Sequence, residues 1–167
     1  MRVFIRLTLG FATAGLLVSV SQAQPPLPTP DQIFVHKAAQ GGIAEVELSQ
    51  LAATRSSSDS IKDFASHMVQ AHSDNNAKLQ QIAQADGIAV PSETDADHST
   101  LRTQLARSKG PEFDRLYVQA MRRDHESMMH LLQSSTDVSD PKLKSFIQET
   151  EPVVEHHLQM AMQLTGA

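Results

Sequence analysis

The chain has 167 residues, no cysteine, no tryptophan and one tyrosine, with 14 basic against 19 acidic residues and a formal net charge of −5. This composition excludes disulfides, offers no basic stripe for nucleic acid, and leaves few aromatic anchors for a large protein-binding hot spot.

Arg2 and Arg6 precede a short apolar run from Leu7 to Val20, and Ser21-Gln22-Ala23 supplies small residues at a cleavage position. The pattern is that of a signal peptide over residues 1–23. The apolar run is shorter than the roughly 20 residues a membrane span needs, so no integral segment is expected after cleavage. Without cysteine there is no lipid attachment through one. The mature chain, with a net charge near −7 once Arg2 and Arg6 are gone, is expected in the periplasm or secreted. It is expected as a monomer or weak homo-oligomer, with no nucleic-acid partner.

Residues 24–30 hold four prolines and read as an extended leader to a domain over 31–165. Asp31 is placed to cap a first helix running to about Arg55, with Phe34, Ala38, Gly41, Ala44, Leu48, Leu51 and Ala52 on one face. Gly41-Gly42 inside that pattern costs about 1 kcal/mol per glycine, which points to a close helix approach or a kink. Ser58 or Asp59 can cap a second helix to about Asp86. It carries Ile61, Phe64, Ala65, Met68, His72, Leu79, Ile82 and Ala83 on one side, with Gly87 as a C-cap. A short third helix is expected from about Glu93 to Arg107, burying Leu101 and Leu105. Gly110-Pro111 opens a fourth, which runs to about Ser134 and buries Phe113, Leu116, Tyr117, Ala120, Met121, Met128 and Leu131. Asp140-Pro141 opens a fifth, with Leu143, Phe146, Ile147, Val154, His157, Ala161 and Leu164 on one side and Pro152 inside. Four long helices, short connections and no strand signal make an all-α bundle, with an additional short helix between the second and third long ones.

Polar residues fall inside these apolar stripes. Glu45 lies in the first, His72 in the second, Asp124 near the centre of the fourth and His157 in the fifth, while Asp114 and His125 sit at an edge of the fourth. Buried polar groups need partners, so the bundle should contain a polar network or a metal site. Heights counted from the 56–58 hairpin put Glu45 level with His72, and a direct hydrogen bond between them is expected. Counted from the 135–140 turn, His125 lies at roughly 15 Å, His157 at roughly 25 Å and Asp114 at roughly 31 Å, a stagger of about one and a half turns between the two histidines. A metal site of Glu45, His72, His157 and either Asp124 or His125 would suit zinc, iron or manganese. A copper site would instead favour His72 and His125 with Met68 and Met121. The Glu-x-x-His pair of di-metal bundles is absent, which weighs against oxygen-activating chemistry. No nucleophile arrangement or phosphate-binding loop stands out. The expected protein is noncatalytic, serving envelope stress tolerance or protein interaction, with a metal-binding or redox-related protein as the alternative.

Ala44-Glu45-Val46-Glu47-Leu48 with Leu51-Ala52, Phe64-Ala65 with Met68-Val69 and His72, Phe113-Asp114 with Tyr117, His125, and Pro152 with His157-Leu158 together resemble DUF4142. This is a bacterial family of unknown function whose members are often labelled outer membrane proteins. The resemblance spans about Gln32 to Leu164 and implies a ferritin-like bundle with recurring polar positions at Glu45, His72, Asp114, His125 and His157. It implies no reaction. The outer-membrane label finds no support in the sequence, which lacks the alternating strands of a membrane barrel.

Overall fold

The computed structural model describes residues 29–164. The signal-peptide assignment and most of the Pro-rich leader therefore lie outside the described residues. Those described form five helices and no strand: α1 (Pro30–Arg55), α2 (Asp59–Ala85), α3 (Ala96–Arg107), α4 (Gly110–Ser134) and α5 (Pro141–Gln163). The architecture is a ferritin-like bundle of four long helices, with α3 inserted between the second and third of them.

Local chemistry sets each boundary. Thr29, rather than Asp31, caps α1: its hydroxyl accepts from the Gln32 N–H while the Gln32 side chain accepts from the Thr29 N–H, a complete capping box. Pro30 thus belongs to the helix, not the leader. Asp31 is used elsewhere, accepting from both the N–H and the hydroxyl of Ser139 and so pinning the α4–α5 connection to the start of α1. α3 starts at Ala96, three residues later than expected, because the Asp95 carboxylate takes the His98 N–H as its cap. Gly87 and Gly110 adopt positive φ of 68° and 55°, where only glycine is comfortable. Gly42 marks the close approach between α1 and α2: a Cβ there would lie 1.9 Å from Asn76 Oδ1.

The core divides in two. One cluster gathers Leu48, Phe64, Met68, Leu105, Phe113, Tyr117, Met121 and Ala161, with Tyr117 hydrogen-bonded to Ser49 at 2.9 Å. The other gathers Phe34, Val35, Leu79, Leu132, Leu143, Phe146 and Val154. Between them each long helix contributes one buried carboxylate or imidazole: Glu45 from α1, His72 from α2, His125 from α4 and His157 from α5. These four residues set a layer of ionisable groups within the apolar core.

Candidate metal centre

Within that layer, His72, His125 and His157 each present one ring nitrogen such that the three lie within 4.8 Å of one another. Their ring centroids form a nearly equilateral triangle, with separations of 5.4, 5.5 and 5.6 Å. All three side chains are buried. His125 Nδ1 lies 2.7 Å from the Met121 carbonyl oxygen, one turn earlier, so Nδ1 carries the proton and donates it. That bond fixes the tautomer and leaves the Nε2 lone pair free. Glu45 Oε1 stands 3.4 Å from the same Nδ1, completing the carboxylate-and-carbonyl support typical of a ligating histidine.

Four polar atoms of the layer are unpaired. His72 Nε2, His125 Nε2, His157 Nδ1 and Glu45 Oε2 are buried and have no hydrogen-bond partner. Leaving such a group unsatisfied costs about 1–3 kcal/mol each. Burial holds the imidazoles in the neutral form, the state in which a histidine can ligate a cation. The His72 ring is lowered to about 3, first by desolvation and then by His125, His157 and His67. His157 is likewise lowered to about 3 by desolvation, followed by His125, His67 and His156. His125 is lowered by desolvation, against a partial upward pull from its bond to Met121 and from Asp124. Glu45 is raised well above the usual carboxylate range by desolvation and then by the nearby Asp124 charge.

Several expectations from the sequence are altered. Glu45 supports His125 rather than bonding His72, because His72 turns its ring toward the other two imidazoles. On α4, His125 is central and Asp124 lies at the edge. The buried row Phe113, Tyr117, Met121, His125 advances in four-residue steps and so drifts about 40° round the helix at each one, which a single averaged face conceals. The expected stagger of His125 and His157 is not found: their ring centroids lie 5.6 Å apart. The 135–140 connection is itself packed and tied down, with Val138 buried and Ser139 bonded to Asp31.

Asp114 is not in the layer. It is half-buried at the far end of α4, where it accepts from the hydroxyls of Ser56 and Ser57, 2.7 and 2.5 Å away, and so ties α4 to the α1–α2 hairpin. Asp124 borders the layer, paired with Arg123 at 3.1 Å and with His98 Nε2 at 3.5 Å. Met68 and Met121 belong to the apolar cluster beside the layer, and the Met121 sulfur lies 3.8 Å from the Ser49 hydroxyl. Two neighbours escaped sequence reading. His67, exposed on α2, meets the His157 ring edge to face with centroids 5.2 Å apart. His98 bridges Asp95 and Asp124, and these two carboxylates, Asp124 first, raise it to about 9.

Fold and site together define a helical bundle with a three-histidine layer at mid-height. The chain belongs to the family DUF4142, a domain of unknown function, whose profile matches residues 17–164. No curated protein matches it. Among solved structures it is similar to a DUF305 fragment from Deinococcus radiodurans, with a TM-score of 0.74 at 12% identity over 85% of this chain and 99% of that one. A DUF305 protein from Streptomyces coelicolor follows at TM-score 0.70 and 13% identity, covering 83% and 93%. A third, CopM in the Cu(II)-bound form, has TM-score 0.68 and 14% identity, covering 80% and 93%. These likenesses establish the bundle fold. No helix among the described residues is long and apolar enough to cross a membrane.

Proposed function

We propose that this protein is an exported, noncatalytic helical bundle that binds one divalent late transition-metal ion, copper(II) or zinc, through His72, His125 and His157. The observation that carries this reading is the convergence of three buried, neutral imidazoles, each with one buried ring nitrogen that has no hydrogen-bond partner. A purely structural polar layer, serving only to fix helix register, would be expected to satisfy its own members. This layer leaves them open, which is what a cation would correct.

The donor set narrows the ion. Three imidazoles with a carboxylate held back as support suit zinc or copper(II) better than manganese, which favours oxygen ligands. Copper(II) stands highest in the affinity order of the divalent first-row ions, and a bundle of the same fold is described in a Cu(II)-bound form. Nitrogens around a tetrahedral ion with bonds of about 2.0–2.1 Å lie about 3.3 Å apart, so the rings must close inward by rotation on ligation. Export is inferred from the basic and apolar N-terminal pattern. The role consistent with a buried, nitrogen-rich site is holding or buffering metal in the envelope.

The test is equilibrium competition against a chelator of known affinity, with elemental analysis of the purified protein. Wild type should retain one ion per chain, whereas His72→Ala, His125→Ala and His157→Ala should each weaken binding by at least 100-fold. A wild-type protein that takes up no copper or zinc from the competitor would remove the proposal.

A further inference from the structure

A cleft of about 530 Å³ opens between α1, α3 and α4, and Glu45, His72 and His125 are among its lining residues. His98, Asp95 and Asp124 line it as well. Burial increases along it: the Asp95 side chain is 37% exposed, Asp124 11% and Glu45 5%. Two carboxylate oxygens bordering this passage, Glu45 Oε2 and Asp124 Oδ2, are buried without a hydrogen-bond donor. Glu45 and Asp124 line the same cleft, so both unpaired oxygens belong to walls of one passage. A divalent cation in the passage supplies the partner that each of these buried oxygens lacks.

We infer that Glu45 and Asp124 form a carboxylate transit site, at which a hydrated divalent cation arriving through the cleft is held and partly dehydrated before transfer to the three imidazoles. The inference rests on the metal-binding reading above. Carboxylates suit this step because oxygen ligands accept a cation that still carries water, and the imidazoles beyond provide the firmer final site. The setting favours inward travel. Asp124 pairs with Arg123 and, together with Asp95, with His98 on the cleft wall, and so offsets part of the positive charge that an incoming cation meets. α3 forms the outer wall and is lightly anchored, with Leu105 its one fully buried side chain. The competing route passes through exposed His67, which abuts His157, an imidazole that is not among the cleft-lining residues.

Stopped-flow mixing of the metal-free mature protein with aqueous Cu²⁺ in a non-coordinating buffer, followed by the copper absorption band, tests the inference. Asp124→Asn keeps the side-chain shape but removes the carboxylate paired with Arg123 and leaves His98 with Asp95 alone. It should slow loading about tenfold, within the range by which charged clefts steer ions, and flatten the dependence on ionic strength, with one ion per chain still bound at the end point. Asp97→Asn, exposed on α3 and free of packing consequences, should slow it two- to threefold. His67→Gln should load at the wild-type rate. Unchanged rates in both aspartate variants, or slowing confined to His67→Gln, would overturn the transit site while leaving the imidazole centre standing. A wild type that binds no copper would remove the parent reading and the transit site with it.

Discussion

Replacing His157 by leucine should make the metal-free protein more stable while abolishing its response to metal. His157 is 2% exposed and its Nδ1 has no hydrogen-bond partner. Removing an unsatisfied buried polar group recovers about 1–3 kcal/mol, and the imperfect fit of leucine returns up to about 1.5 kcal/mol. The net gain expected is about 1 kcal/mol, or about 3–4 °C in Tm for a domain of this size. In the wild type, metal at a free concentration 100-fold above Kd adds about 2.7 kcal/mol, which corresponds to about 8–11 °C. Differential scanning calorimetry of both proteins, with and without Cu²⁺ or Zn²⁺, measures all four states. The wild type should rise by that amount and His157→Leu should not move, starting from the higher baseline. A leucine variant that is several degrees less stable without metal would show that the imidazole stabilises the bundle by itself, and would refute the reasoning.

The depressed imidazoles fix a pH dependence. His72 and His157 are held near 3 in the fold against about 6.5 when unfolded. As pH falls below 6.5 the unfolded chain takes up protons first, so stability is lost toward pH 3, by up to about 1.4 kcal/mol per pH unit for each ring. Glu45, raised in the fold, slopes the other way, losing its contribution as pH climbs above 4.5. The urea midpoint should fall between pH 6.5 and 4.5, less steeply in His157→Leu; a flat profile would contradict the assignment. His98, raised to about 9, contributes stability that is complete below pH 6.5 and lost as pH rises through about 9, and its ring resonances should titrate there in an NMR series. Gly42→Ala should cost about 1 kcal/mol by forcing Asn76 aside. Combined with Asn76→Ala it should turn favourable by about the same amount, as helix propensity is recovered. Tyr117→Phe should cost about 1–2 kcal/mol through the lost bond to Ser49, with copper affinity unchanged.

Much of the bundle is legible from apolar periodicity and punctuation. The five helices end close to where Ser58, Gly87, Gly110-Pro111 and Asp140-Pro141 place them, because caps and prolines act locally. Glu45, His72 and His157 are legible as interior polar residues for the same reason: each interrupts a stripe that is otherwise apolar. Which α4 residue joins them is not, since Asp124 and His125 differ by 100° and the buried row drifts along the helix. The pairing of Glu45 with His125 rather than His72 depends on helix tilt and ring rotation, which no spacing encodes. Asp114 illustrates the converse. Its position looks comparable to that of the layer residues, yet the serines of the α1–α2 hairpin give it local partners at the end of the bundle. His98 lies on a helix with little apolar pattern, so nothing in its surroundings announces its reach to Asp124.

X-ray absorption on the copper- or zinc-loaded protein tests the central claim most directly. Three imidazole nitrogens at about 2.0–2.1 Å, with their outer-ring scattering, are predicted for the wild type, and loss of one imidazole in His72→Ala, His125→Ala or His157→Ala. A first shell of sulfur at about 2.3 Å, or an imidazole count that none of the three substitutions changes, would contradict a centre built from His72, His125 and His157.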